Sequence, residues 1–163
     1  MDLINSCLTW VLTKHYNNRG FVENESSYNR YTIGDMLKMK VLITGTGGMG
    51  AHISKVLIDN NVDTSLYGTC RQTEAISKIV DIDKIEMHKG DILDAAKIES
   101  VIKDNDIDHI IHTAGPRATQ CRNHDYVNES ETGIRVHTMG TSNILDAART
   151  LGVKRVIYTS TGS

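Results

Sequence analysis

The feature that most constrains this chain is a short apolar run that ends in a glycine-rich turn. Lys40-Val-Leu-Ile-Thr44 is followed at once by Gly45-Thr-Gly47-Gly48-Met49-Gly50, and the residues after it carry Ile53, Val56 and Leu57 at helical spacing. A strand that opens through Gly-x-Gly-x-x-Gly into a helix uses each glycine for a separate reason. Gly45 permits the tight turn, Gly47 lets the backbone approach a pyrophosphate, and Gly50 lets helix pack closely on strand. The helix fits Ala51 to Asn60, and phosphates would sit on its N-terminus, where free N–H groups and the positive end of the helix dipole favour an anion. The same glycines would begin an NTPase phosphate loop, but Ala51-His52 stand where that loop needs Lys and then Ser or Thr. The pattern therefore points to a dinucleotide.

Strand and helix signals alternate through the rest of the chain. A second strand fits Thr64 to Thr69, a helix Glu74 to Val80 and a third strand Lys84 to His88. A helix fits Ala95 to Lys103, with Ile98, Val101 and Ile102 on one face, before a strand from His109 to Thr113. A helix over about Gly133 to Leu151 and a strand from Arg155 to Thr159 complete the series. Alternation of this kind predicts an α/β fold, a Rossmann-like doubly wound parallel sheet with strand order 3-2-1-4-5. The length of 163 residues suits one such domain, assigned to residues 39–163. Residues 1–38 read as a partly disordered N-terminal extension. Leu3, Ile4, Cys7, Leu8, Val11 and Leu12 suggest one short amphipathic helix, and the polar run from Glu23 to Asn29 has no period.

Charge and cysteine usage exclude several function classes. Lys and Arg number 18 against 20 Asp and Glu, a net charge of −2 with the signs interspersed, which leaves no broad basic face for nucleic acid. No apolar stretch approaches the roughly 20 residues needed to span a bilayer. Met1-Asp2 begins no basic leader, and no small-residue cleavage site follows. Cys7, Cys70 and Cys121 are odd in number and far apart, which fits a reducing cytoplasm better than a disulfide framework or a four-ligand zinc site. Cys121-x-x-His124 has ligand spacing, but with only His112 as a further candidate no metal site is expected. Cys70 reads as an ordinary buried thiol, and Lys154-Arg155 as positive charges capping the helix that ends at Gly152.

The end of the second strand bears on the choice of dinucleotide. An NAD site usually has an acid about 20 residues past the first glycine, to hold the ribose 2′-hydroxyl. Here the segment is Tyr67-Gly68-Thr69-Cys70-Arg71, without an acid, and Asp63 lies at the wrong end of the strand. Arg71 is suited to a 2′-phosphate, so NADP is favoured over NAD; its other reading is a solvated surface charge.

Taken together, Val41-Leu-Ile-Thr-Gly-Thr-Gly-Gly-Met-Gly50, Gly90-Asp91-Ile92, Ile111-His112-Thr113-Ala114-Gly115, Met139-Gly140-Thr141 and Val156-Ile-Tyr-Thr-Ser160-Thr161 resemble the extended short-chain dehydrogenase/reductase family, which contains the NAD-dependent epimerases and dehydratases. The resemblance covers residues 39–163. It implies that the glycine turn holds the pyrophosphate, that Asp91 and Ile92 flank the adenine, and that Thr113, Ala114 and Gly115 pass beside the ribose and phosphates. It also implies that Arg117 lies near the nicotinamide ribose, and that Ser160 and Thr161 stand at the catalytic hydroxyl position, Thr161 aligning better. That hydroxyl would hydrogen-bond the substrate oxygen on which charge develops. Asp91 has a second, compatible reading as a turn acid or helix cap.

Three departures from the family pattern bear on function. The glycine loop is a residue shorter than the family's Gly-x-x-Gly-x-x-Gly. His137 stands where an Asn is common. None of the six tyrosines has lysine four residues later, so the family's Tyr-x-x-x-Lys acid–base pair is absent. The chain therefore reads as the cofactor-binding half of an NAD(P)-dependent epimerase, dehydratase or reductase, stopping before the substrate-binding part. Its small-molecule substrate would be a nucleotide-linked sugar, handled by transient hydride transfer, and the isolated chain would be inactive. The alternative is a non-catalytic NADP-binding redox sensor. In either case an open fifth strand offers a route to a homodimer.

Overall fold

The computed structural model describes residues 38–69, 76–115 and 133–159. Five parallel strands form one sheet in the order β3-β2-β1-β4-β5. They are β1 (Lys40–Thr44), β2 (Asp63–Gly68), β3 (Glu86–Lys89), β4 (His109–His112) and β5 (Arg155–Tyr158). The helices are α1 (Gly48–Asp59), α2 (Ala95–Asp104) and α3 (Thr141–Leu151). A π-helical turn, Val136–Gly140, leads into α3. This is the expected Rossmann-like α/β arrangement, with the strand order reversing direction between β1 and β4.

The central strands are apolar because both their faces are covered. Leu42, Ile43, Leu66 and Ile110 have no exposed surface. Alternation sends Leu42, Thr44, Tyr67, Ile110 and His112 to one face. There Leu42, Tyr67 and Ile110 pack with Ile98, Val101 and Ile102 of α2 and Ile144, Ala147 and Ala148 of α3. Helix α1 buries Gly50, Ala51, Ser54 and Leu57. Asp94 caps α2 by accepting from the Lys97 N–H at 3.0 Å. Gly152, at φ +73°, ends α3 in the left-handed conformation that glycine adopts without strain.

Several boundaries differ from the sequence reading. β2 begins and ends one residue earlier than expected, so Asp63 is its first residue. β3 starts at Glu86 because Ile82–Lys84 closes a 3₁₀ turn, in which the Asp81 carboxylate accepts from the Asp83 N–H. Of the helix expected over Glu74 to Val80, residues 76–77 are helical and a turn follows, with Val80 N–H donating to the Ile76 carbonyl; residues 74–75 lie outside the described residues. The Lys154 Nζ lies 2.8 Å from the Asp108 carboxylate, which also accepts from the Lys40 N–H and pairs with His109, joining the starts of β1, β4 and β5. Burial would raise the Asp108 carboxyl pKa, but these bonds outweigh it and hold the group below the usual range. Among the described residues no helix is long and apolar enough to cross a membrane.

Candidate functional site

Among the described residues, the glycine turn and Thr113 to Gly115 meet where β1, β4 and β2 end, the crevice at the strand-order switch where ligands bind in open α/β sheets. Gly45 leaves β1 at φ +103°, a conformation that disfavours a side chain. A Cβ on it would also lie 2.7 Å from Thr113 Oγ1 and 2.8 Å from the Ala114 nitrogen. A Cβ on Gly50 would overlap the Gly45 carbonyl oxygen. The first and third glycines are thus needed for the chain's own close packing. Gly47 and Gly48 face open space, with nothing within 4 Å of where a Cβ would stand.

That open space fronts the N-terminus of α1. Gly47 is the cap residue and has no side chain to accept from the first-turn N–H groups, and no acid occupies that turn. The Ala51 N–H closes the first helical bond on the Gly47 carbonyl, at 3.0 Å. The preceding amides, those of Gly48, Met49 and Gly50, are the donors that helix geometry leaves for an anion. Met49 itself is exposed. A dinucleotide pyrophosphate fits this cradle: it requires backbone donors, room in front of the two open glycines and no competing negative charge.

β4 holds the turn from the other side. The Thr113 N–H and Oγ1 both donate to the Thr44 carbonyl, at 2.8 and 2.7 Å. Ala114 and Gly115 continue past the end of the strand. A Cβ on Gly115 would meet the His137 ring at 3.2 Å, so the π-helical turn brings His137 over Gly115. Asp91 is exposed and accepts from the Leu93 N–H at 2.9 Å, which makes it the turn acid, while Asp94 is the helix cap. Ile92 turns its side chain inward against Gly140, and its carbonyl accepts from Asn143 at 3.1 Å. Arg71, Arg117, Ser160 and Thr161, like Cys70, Cys121 and His124, lie outside the described residues. Among the described residues, no group of three or more His, Cys, Asp or Glu is arranged to hold a metal ion.

The structure adds roles that local pattern did not assign. Beneath the turn, buried His112 shares hydrogen bonds with Thr44 Oγ1 through Nδ1, at 2.6 Å, and with Thr141 Oγ1 through Nε2, at 3.1 Å. Its ring lies 5.4 Å from that of Tyr158. Burial, with the charge of His137 nearby, pushes the His112 imidazole down to about 4, so the ring is neutral and links β1, β4 and α3 by hydrogen bonds. Tyr67 donates to the Asp91 carbonyl at 2.8 Å and fills the space beside Gly90. Burial and the charges of Asp94 and Asp91 push its phenol up to about 12. The only sequence signal for these residues was their place at strand ends.

The family model described as NAD dependent epimerase/dehydratase matches residues 41–163. Sterol-4-alpha-carboxylate 3-dehydrogenase, decarboxylating, of Saccharomyces cerevisiae is 28% identical over 125 residues, covering 74% of this chain and 33% of the relative. UDP-glucose 4-epimerase of Mus musculus is 28% identical over 136 residues, covering 76% of this chain and 38% of the relative. An epimerase structure from Methanothermobacter thermautotrophicus superposes with a TM-score of 0.65 at 28% identity, covering 80% of this chain and 38% of that one. The fold of Thermus thermophilus UDP-glucose 4-epimerase, solved in complex with NAD, matches with a TM-score of 0.63 at 23% identity, covering 76% of this chain and 38% of that one. The chain thus spans little more than a third of the length of these proteins. With the family model matching three quarters of the sequence, and the glycine turn and strand order as that family's fold requires, the chain belongs to the NAD dependent epimerase/dehydratase family.

Proposed function

We propose that residues 39–163 are the NAD(P)-binding domain of an epimerase/dehydratase-type oxidoreductase acting on a nucleotide-linked sugar, with residues 1–38 an extension outside that domain. The observation that carries this reading is the glycine turn: Gly45 and Gly50 have no room for a Cβ, while Gly47 and Gly48 open onto a helix N-terminus without a cap or an acid. The backbone N–H groups of Gly48, Met49 and Gly50 bind the pyrophosphate. Thr113, Ala114 and Gly115 let the ribose and phosphates approach β4, with His137 beside them, and Asp91 with the backbone of Ile92 borders the adenine. The chemistry supplied there is reversible hydride acceptance by the nicotinamide.

Arg117 contacts the nicotinamide ribose. Thr161, or Ser160 next to it, donates a hydrogen bond to the sugar oxygen on which negative charge develops as its proton leaves. The sugar assignment draws support from UDP-glucose 4-epimerases of mouse, cattle and Bacillus subtilis among the relatives. NADP is preferred, because the β2 end carries no acid and Arg71 follows it to pair with a 2′-phosphate. A cytoplasmic setting follows from the cysteine usage, and a homodimer from the edge position of β5 in the sheet of the described residues.

Calorimetric titration of the full chain with NADP and with NAD, alongside Arg71→Ala, tests the reading. Saturable NADP binding that the substitution weakens roughly tenfold is the expected result, the size of one charged hydrogen bond. A folded sample that binds neither dinucleotide contradicts it.

A further inference from the structure

The turn that follows β3 is gripped from two sides by residues far from it in the chain. Tyr67, on β2, is buried, and its hydroxyl donates to the Asp91 carbonyl at 2.8 Å. The residue before Asp91 has no side chain, and a Cβ on that Gly90 would overlap the Tyr67 hydroxyl. From α3, Asn143 donates to the Ile92 carbonyl at 3.1 Å, while the Ile92 side chain packs on Gly140. Within the turn the Asp91 carbonyl also accepts from the Asp94 N–H at 3.0 Å, and Asp91 Oδ1 accepts from the Leu93 N–H at 2.9 Å. Among the described residues, the exposed Asp91 Oδ2 and the Ile92 N–H are left without a partner. The Asp91–Ile92 peptide is trans and planar, so its N–H runs antiparallel to its C=O. A carbonyl drawn to Tyr67 therefore points the Ile92 N–H the opposite way, away from Tyr67.

We propose that Tyr67 is a positioning residue for the base of the dinucleotide: by holding the Asp91 carbonyl it aims the Ile92 N–H beside the free Asp91 oxygen, and the resulting donor–acceptor pair selects adenine over a base with the opposite edge. The inference rests on the dinucleotide reading above, in which Asp91 and the Ile92 backbone border the adenine, and names the residue that makes this border selective. Adenine offers an exocyclic amine that donates next to a ring nitrogen that accepts, the complement of a carboxylate oxygen next to an N–H. Hypoxanthine carries a carbonyl and a ring N–H at those two places, so each of its groups meets its own kind. Tyr67 acts through the peptide in two ways. It fixes the plane of the peptide, and a hydrogen bond accepted by the carbonyl strengthens the donor at the other end of the same unit. Burial and the charges of Asp94 and Asp91 push its phenol up to about 12, so the hydroxyl remains a donor at any working pH. The Asp94 N–H and Asn143 hold the turn without Tyr67, so loss of the hydroxyl releases the aim of the N–H and leaves the turn in place.

The test is calorimetric titration of the full chain, wild type and Tyr67→Phe, with circular dichroism on each sample. The ligands are the dinucleotide the chain takes, NADP or NAD, and the same dinucleotide with hypoxanthine in place of adenine. The wild type is expected to bind the adenine form roughly a hundredfold tighter, the size of two hydrogen bonds. Tyr67→Phe keeps the ring and removes the hydroxyl. Binding of the adenine form then falls roughly tenfold, binding of the hypoxanthine form is unchanged, and the preference narrows accordingly. A purely structural role would weaken both ligands alike and leave their ratio where it was. If Tyr67→Phe does not fold, Tyr67→Met replaces it, filling the space with a flexible apolar side chain that also lacks a donor. The inference is overturned if the variant binds both ligands as the wild type does, or loses affinity for both by one factor. It is also overturned, with dinucleotide binding left intact, if the wild type takes the two bases equally. A folded wild type that binds neither NADP nor NAD overturns the cofactor reading together with it.

Discussion

At the scale of single residues, the buried imidazole of His112 is the group most sensitive to solution conditions. Its two nitrogens are taken up by the Thr44 and Thr141 hydroxyls, and its pKa is down at about 4 from an ordinary 6.5. Between those values the unfolded chain binds more protons than the folded one, so stability rises with pH across that window. The contribution is complete above pH 6.5 and is lost as the pH falls toward 4, a loss of about 3 kcal/mol. Urea unfolding at pH 7 and pH 5 should show about 2 kcal/mol of this fall in the wild type and a flatter response in His112→Asn, which is also less stable at pH 7; equal slopes would contradict it. Asp108 acts in a separate range, since its lowered carboxyl gives up its contribution only as the pH drops below the ordinary 3.8. Gly45 and Gly50 were legible as residues because their spacing alone implies a turn. Thr44 and Tyr67 were not, because their partners His112 and Asp91 lie 68 and 24 residues away.

At the scale of elements, glycines of the same turn differ in what an added side chain would meet. Gly47→Ala adds a methyl in open space, so folding stability should change by only about 0.5–1 kcal/mol, while the methyl obstructs an approaching pyrophosphate and lowers dinucleotide affinity. Gly50→Ala drives a methyl into the Gly45 carbonyl and should lose both stability and binding. Denaturant titration and calorimetry on the two variants separate these effects. Gly140→Ala places a Cβ 2.7 Å from Ile92 Cγ2 and should destabilise the chain by about 1–3 kcal/mol through overpacking; an unchanged urea midpoint would show that the π turn yields. β1 was legible to the residue because its apolar run stops at Gly45. The start of β3 and the π-helical Val136–Gly140 were not. A 3₁₀ turn at Ile82–Lys84 and one wide turn within a helix both preserve the apolar spacing from which such elements are read.

At the scale of the whole molecule, any dinucleotide that binds the folded chain and not the unfolded one raises its stability. At a free NADP concentration of about 100 times the dissociation constant the gain is about 2.7 kcal/mol, a rise in Tm of roughly 5–10 °C for a domain of this size. Scanning fluorimetry of the full chain with NADP, and with NAD as comparison, should show that rise, and its absence at saturating NADP would count against cofactor binding. The strand–turn–helix at Lys40–Asp59, the strand order and the family were all determined by the sequence itself. Hydrophobic period and glycine's backbone freedom act over a few neighbouring residues, and chain connectivity leaves few ways to wind five parallel strands. Only the tertiary structure decided that Thr46 lies over Gly68, that His112 lies neutral between Thr44 and Thr141, and that Lys154 pairs with Asp108. Each of these joins residues from different elements, and their contact depends on how strand ends align in space, which no local pattern encodes.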